Sequence, residues 1–313
     1  MSTQGTPIAP TTTATAAVTP PSAASSPIPA LVAGLVDDAA VFPPGSAPLP
    51  EAIERHRLHR AAWYADMIGP LLLPASQLAN AASLLNPDET MTVGVIGDTG
   101  VKGLPTALAS ADPRLVVRQV EVAVAKRGED PQPGLRTLLD ELARRPEILG
   151  YAEIPLATGL LAALDTVAEA RAAGVAVAPK FRTGGLAAEL FPTPVELAAV
   201  ICACRDRGLP FKLTAGLHHA LRHIDPETGF VHHGFLNVIA ACALAETNAE
   251  VADVAAVLAS TEPEPLVAAC RPALADARPL WVGYGSCSVT EPLDDLITLG
   301  LIERQNTARS TNA

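Results

Sequence analysis

Lysine is scarce in this chain, and its placement singles out two positions. Of the 22 basic residues only four are lysine, Lys102, Lys126, Lys180 and Lys212. Two of these stand in short apolar runs, Lys180 in VAVAPKF (175–181) and Lys212 in LPFKLTAG (209–216). Arginine keeps its proton in a protein, whereas a desolvated lysine beside a second cation can release it. A neutral amine condenses with a carbonyl carbon to an imine, or removes a proton as a general base. Glu153, in the run ILGYAEIPL (148–156), is the carboxylate placed to relay protons. Arg182 and the Gly184–Gly185 turn follow Lys180 directly and suit a carboxylate or phosphate group.

Histidine supplies a second cluster. Five of the seven histidines fall between 218 and 233: His218, His219, His223, His232 and His233. Imidazole is both a common metal ligand and the acid–base group poised near neutral pH. His218 continues the every-second-residue series Lys212, Thr214, Gly216, so it is the one expected to move protons beside the lysines. A divalent metal is the alternative for this loop, although the hydrolase-type HxH on the first strand is absent and so is HExxH.

A third group is the segment GYGSCSVTEPLDDL (283–296). Gly285, Ser286 and Ser288 suit a backbone-lined phosphate site at the start of a helix. A plain tight turn into a capped helix, with Ser288 and Glu291 as the capping pair, explains the same residues. Cys287 lies among them with no base assigned to it.

These residues have to be positioned by something, and the apolar pattern shows what. Eight strand-like runs occur at 31–42, 69–74, 91–98, 115–124, 148–156, 175–181, 209–216 and 279–287. Each is followed by a segment with helix punctuation. Thr193-Pro194-Val195-Glu196 reads as a capping box with proline at the first helical position. Gly174 and Gly208 stand where helices end in glycine. Eight strand–helix pairs in one stretch predict a single (β/α)8 barrel of the TIM type. An open doubly wound sheet shows the same alternation, but the first strand, ending in VDDAAVFPPG, lacks its glycine fingerprint.

In a barrel the chemistry gathers at the C-terminal strand ends. Side-chain alternation turns Lys180 and Arg182 inward on one strand and Lys212 and Thr214 inward on the next. Glu153, Lys180 and Lys212 are therefore expected to meet at one rim, in a locally basic pocket. Asp37 and Asp38 end the first strand, and Arg118 and Glu121 lie on the fourth. Asp38 and Arg118 are taken with Arg182, Gly184, Gly185, Thr214, Gly285, Ser286 and Ser288 as the substrate-binding set.

Composition narrows the class. Net charge is −11, which argues against a nucleic-acid-coating surface. Mean hydropathy is +0.28, yet no apolar run approaches the roughly 20 residues of a membrane helix. Residues 1–29 are mostly Ser, Thr, Ala and Pro and read as a disordered tail. Residues 30–303 form the barrel, and 304–313 a loose C-terminal tail. The first basic residue is Arg55, so no secretory signal is expected. Five cysteines without paired spacing fit a reducing cytoplasm.

At GLVDDAAVFPPG, KFRTGG, FKLTAGLHHALRH, HHGFLN and GSCSVTEPLDDL the chain resembles a set of uncharacterised bacterial proteins that look like aldolase-type barrels. The resemblance spans nearly all of residues 31–303. It implies the barrel and supplies no reaction. The link to Schiff-base aldolases is a lysine on the sixth strand, which is an analogy of fold position.

The expectation is a cytoplasmic barrel enzyme, monomer or homo-oligomer, acting on a small anionic carbonyl compound with lyase- or isomerase-like chemistry and no cofactor. The alternatives are a metal-dependent hydrolase built on the histidine loop and a barrel that binds a metabolite or partner without catalysis.

Overall fold

The computed structural model describes residues 26–305. Most of the expected N-terminal tail, residues 1–25, and most of the expected C-terminal tail, residues 306–313, lie outside the described residues. The packed body starts slightly before residue 30, because Ile28 is buried in the hydrophobic core.

All eight apolar runs form strands. They are β1 (Val36–Asp38), β2 (Ile68–Pro74), β3 (Met91–Ile96), β4 (Leu115–Ala123), β5 (Leu149–Glu153), β6 (Val177–Arg182), β7 (Phe211–Thr214) and, last in the chain, β10 (Trp281–Ser286). They close into one parallel barrel in the order β1-β10-β7-β6-β5-β4-β3-β2. Closure leaves no sheet edge exposed, which settles the choice between a barrel and an open sheet.

Helices α1 (Leu49–Ala61), α2 (Leu78–Ser83), α3 (Leu104–Ala109), α4 (Gln132–Leu142), α5 (Leu160–Ala172) and α6 (Pro194–Arg205) each connect consecutive strands. The seventh connection is longer than a single helix. It holds a hairpin of β8 (His223–Ile224) and β9 (Val231–His232), then α7 (Phe235–Ala245), α8 (Val251–Ala259) and α9 (Pro263–Cys270). Helix α10 (Thr290–Thr298) follows β10. Among the described residues no helix is long and apolar enough to cross a membrane.

Alternation on each strand places the large apolar side chains between barrel and helices. Phe181 and Phe211 are fully buried there, with ring centroids 6.1 Å apart. Trp281 stacks on Tyr284 on the same outer face of β10. The inner faces of β4 to β7 are thereby left to polar residues.

Local signals hold at α6. The Thr193 side chain accepts from the Glu196 N–H, and the Glu196 carboxylate accepts from the Thr193 N–H at 2.7 Å. Thr193→Ala is expected to cost about 1 kcal/mol of stability, read as a lower denaturant midpoint with unchanged slope.

Candidate active site

Lys180 on β6 and Lys212 on β7 are paired in register, and both side chains point into the barrel. Between them stands Glu121 of β4. Its Oε2 is 2.7 Å from Lys180 Nζ, and its Oε1 is 2.5 Å from Lys212 Nζ. Lys212 also pairs with Asp37 of β1. A side chain at Gly69 would collide with the Asp37 carboxylate, so bare backbone on β2 is what admits Asp37 to the interior. Gln119 donates to Asp37 at 2.6 Å and to Glu121 at 2.9 Å. The Tyr151 ring lies 4.7 Å from Lys212 Nζ and completes that cation's surroundings.

Toward the mouth, Lys180 Nζ is 3.0 Å from Glu153 Oε2, and Arg182 is 3.1 Å from Glu153 Oε1. The charges thus form one alternating chain: Asp37, Lys212, Glu121, Lys180, Glu153, Arg182. Three formal negatives meet three positives, so the expected locally basic pocket is corrected to a formally balanced one. The expected meeting of Glu153 with both lysines is likewise refined. Glu153 reaches Lys180, while Lys212 joins through Glu121.

Burial and pairing compete at every member. Desolvation pushes the Glu121 carboxyl up, but the two ammonium groups outweigh it and hold its pKa at about 2. Glu153 is lowered in the same way, with burial opposed by Lys180 and Arg182. Desolvation raises Asp37 despite its lysine. At Lys180 burial favours the neutral amine, but Glu121 and Glu153 override it and the net shift is upward, against a smaller downward push from Lys212. Lys212 is also raised, held by Asp37 and Glu121 against burial. At rest both amines are charged.

A cavity of about 140 Å³ opens over this end of the barrel, lined by Glu153 and Arg182 together with Arg127, Glu189, Leu190 and Pro192 from the loops after β4 and β6. It is smaller than the ~300 Å³ typical of sites for drug-sized ligands, which suits a compound of a few non-hydrogen atoms. Lys180 does not line it, and Glu153 is the residue that both lines the cavity and pairs with Lys180. No family model, curated protein or solved structure matches this chain. A larger cavity of about 290 Å³, among Leu31, Ile239, Ala243 and Cys270, lies outside the barrel wall and holds none of these groups.

Several expected binding residues lie elsewhere. Asp38 faces α1, with its Oδ2 3.0 Å from His56 Nδ1, because alternation on β1 turns Asp37 and not Asp38 inward. Arg118 is exposed at a register shift between β3 and β4. Gly184 packs on the Gly216 backbone, and Gly185 faces Leu190, so that turn is filled by close chain contact. Gly285 faces Leu72 inside the barrel. Thr214, by contrast, stays at the end of β7 in register with Arg182, and its backbone carbonyl accepts from the Thr183 N–H at 2.9 Å. The Ser286 hydroxyl donates to the Ser288 carbonyl at 2.7 Å, and Ser288 Oγ accepts from the Glu291 N–H at 3.3 Å. The serines close their own turn. The expected capping box at α10 is not formed, since the Glu291 carboxylate turns to His218 instead.

His218 also departs from expectation. Ala215 (φ 67°) and Gly216 (φ 74°) adopt left-handed backbone directly after β7, so strand alternation ends there. The ring is engaged by Glu291 and Cys287, not by the lysines. The neighbouring histidines hydrogen-bond to different partners, His219 to Asp295, His223 to the Leu221 carbonyl and His233 to the Pro192 carbonyl, while the rings of His219, His223 and His232 pack in series. Among the described residues no three His, Cys, Asp or Glu side chains are grouped to hold a metal ion.

Proposed function

We propose that this barrel is an enzyme that acts on a small anionic carbonyl compound through an imine on Lys180. The observation that carries the reading is the Glu121 bridge between two buried lysines on neighbouring strands. One carboxylate shared by two ammonium groups is a costly arrangement to bury unless the charges are used or held very well. Lys212 is enclosed by two carboxylates and an aromatic ring. Lys180 is the member whose second partner, Glu153, borders the cavity.

In the resting chain Lys180 is protonated, the wrong state for a nucleophile. Substrate supplies the change. An anionic group that takes the Arg182 guanidinium competes with Glu153 for it and frees that carboxylate to accept a proton from Lys180. The nearby Lys212 cation favours the loss. The neutral amine adds to the carbonyl carbon, the oxygen leaves as water, and the resulting iminium draws electrons from the adjacent carbon. Either a carbon–carbon bond breaks there, as in a lyase, or a proton leaves, as in an isomerase. Glu153 returns or removes the proton, and water hydrolyses the iminium.

The test is exchange of the proton next to the carbonyl for deuterium, followed by NMR across a panel of small keto acids and phosphorylated aldehydes or ketones. Exchange that depends on intact protein and requires the anionic group supports this chemistry. The fully paired lysines favour a second reading, a barrel that binds an anionic metabolite without turning it over. Binding without exchange across the panel selects it.

A further inference from the structure

A different cluster at the same end of the barrel contains the parts of an activated thiol. Cys287 follows β10, and its sulfur lies 3.9 Å from His218 Nε2. The other ring nitrogen of His218 lies 2.8 Å from Glu291 Oε2 in the first turn of α10. Nucleophile, base and carboxylate thus stand in series, each within reach of the next. They are brought together from the loop after β7 and the loop after β10, 69 residues apart.

The other thiols make Cys287 distinct. Cys202, Cys204, Cys242 and Cys270 are buried, and Cys287 is partly exposed. Burial pushes all four of the others up, so they stay protonated. Gly45 packs closely on Cys287, since a side chain there would come within 2.9 Å of the Cys287 Cβ. The His218 imidazole is raised to about 9, first by its hydrogen bond with Cys287, then with help from Glu291 and against its burial. A charged imidazolium beside the sulfur stabilises a thiolate.

We propose that Cys287, His218 and Glu291 form a second nucleophilic site, which accepts the acyl group of a small ester or thioester. Cys287 is the nucleophile, His218 carries the proton, and Glu291 is a positioning residue that orients the ring. The thiolate sulfur attacks the acyl carbon and forms the S–C bond. The bond from that carbon to the leaving oxygen or sulfur breaks, and the leaving group takes the proton from His218 Nε2. Neutral His218 then takes a proton from water as the oxygen attacks the thioester carbon. The S–C bond breaks, the carboxylic acid departs, and the thiolate–imidazolium pair is restored. Acyl donor and water become acid and alcohol or thiol, with no change in oxidation state. Neither Lys180 nor the imine chemistry takes part.

The experiment uses the full chain with p-nitrophenyl acetate, reading p-nitrophenolate release and, after acid quench, the acetyl group by peptide mass mapping. The expected result is a burst approaching one equivalent per chain, with acetyl on Cys287 and none in Cys287→Ser. His218→Gln should slow acylation by about 10²-fold or more. Glu291→Gln should slow acylation and move the His218 titration, followed by NMR, to lower pH, because Glu291 helps to hold that imidazolium. The other charged and titratable groups near that ring, Asp295 with its partner His219 and, across the loop, His232, are left intact. If either variant fails to fold, the rate of wild-type alkylation by iodoacetamide at pH 6 decides, and it should exceed that of an unstructured cysteine peptide. Acetyl mapped to Cys287 and absent from Lys180 and Lys212 separates this site from the lysine site. A burst that persists in Cys287→Ser, or a wild-type Cys287 no more reactive than the peptide, overturns the proposal.

Discussion

Glu121→Gln is expected to lower the unfolding free energy by about 3–5 kcal/mol at neutral pH, the usual cost of removing one partner from buried charges. The substitution keeps shape and hydrogen-bonding capacity but leaves Lys180 with Glu153 alone and Lys212 with Asp37 alone. Both ammonium groups are nearly inaccessible to water, which cannot replace the lost carboxylate. The wild-type pH dependence should carry the same signature. Because the folded pKa of Glu121 is depressed from 4.5 to about 2, its contribution is complete above pH 4.5 and is lost as pH falls toward 2. Asp37 acts in the opposite sense, since its raised pKa lets protonation relieve a buried charge on the way down. Denaturant titrations from pH 7 to pH 2.5 should therefore show a steeper acid loss for wild type than for Glu121→Gln. Equal stabilities at neutral pH would mean that the bridge contributes nothing to folding.

Lys180→Arg is expected to separate fold from chemistry. Arginine supplies the same charge to Glu121 and Glu153, so the barrel should persist with a loss of roughly 1–3 kcal/mol from crowding. It cannot supply a neutral amine at accessible pH. Turnover, followed as proton exchange beside the carbonyl, should fall by about 10³-fold or more. The matching change at Lys212 tests the division of labour. Lys212→Met should chiefly destabilise, because Asp37 and Glu121 both lose a close cation. Lys180→Arg protein that retains full exchange would reduce Lys180 to a structural cation.

The barrel was legible because its strands are short apolar runs bounded by glycine, proline and caps. All eight runs became strands, since nothing in the fold competes with that pattern. The lysines were legible for the same reason: alternation on β6 and β7 is regular up to Lys180 and Lys212. Glu121 obeys the same rule, with Gln119 beside it and Val120 and Val122 facing the other way. Its place on the inner face is visible in the sequence, but nothing local shows that it bridges both lysines. Asp37 and Asp38 are different, because a three-residue strand offers no pattern to show which aspartate turns inward. Arg118 was misplaced by a register shift that alternation alone does not reveal. Alternation was carried too far at His218, past the left-handed residues Ala215 and Gly216 that end it. The pairing of His218 with Cys287 joins two loops, and no local spacing encodes it.

Borohydride reduction of the protein with a substrate that shows exchange, followed by peptide mass mapping, tests the imine most directly. The expected result is a single covalent adduct on Lys180, abolished in Lys180→Arg. Exchange that proceeds with no trapped adduct, or an adduct confined to Lys212, would contradict it.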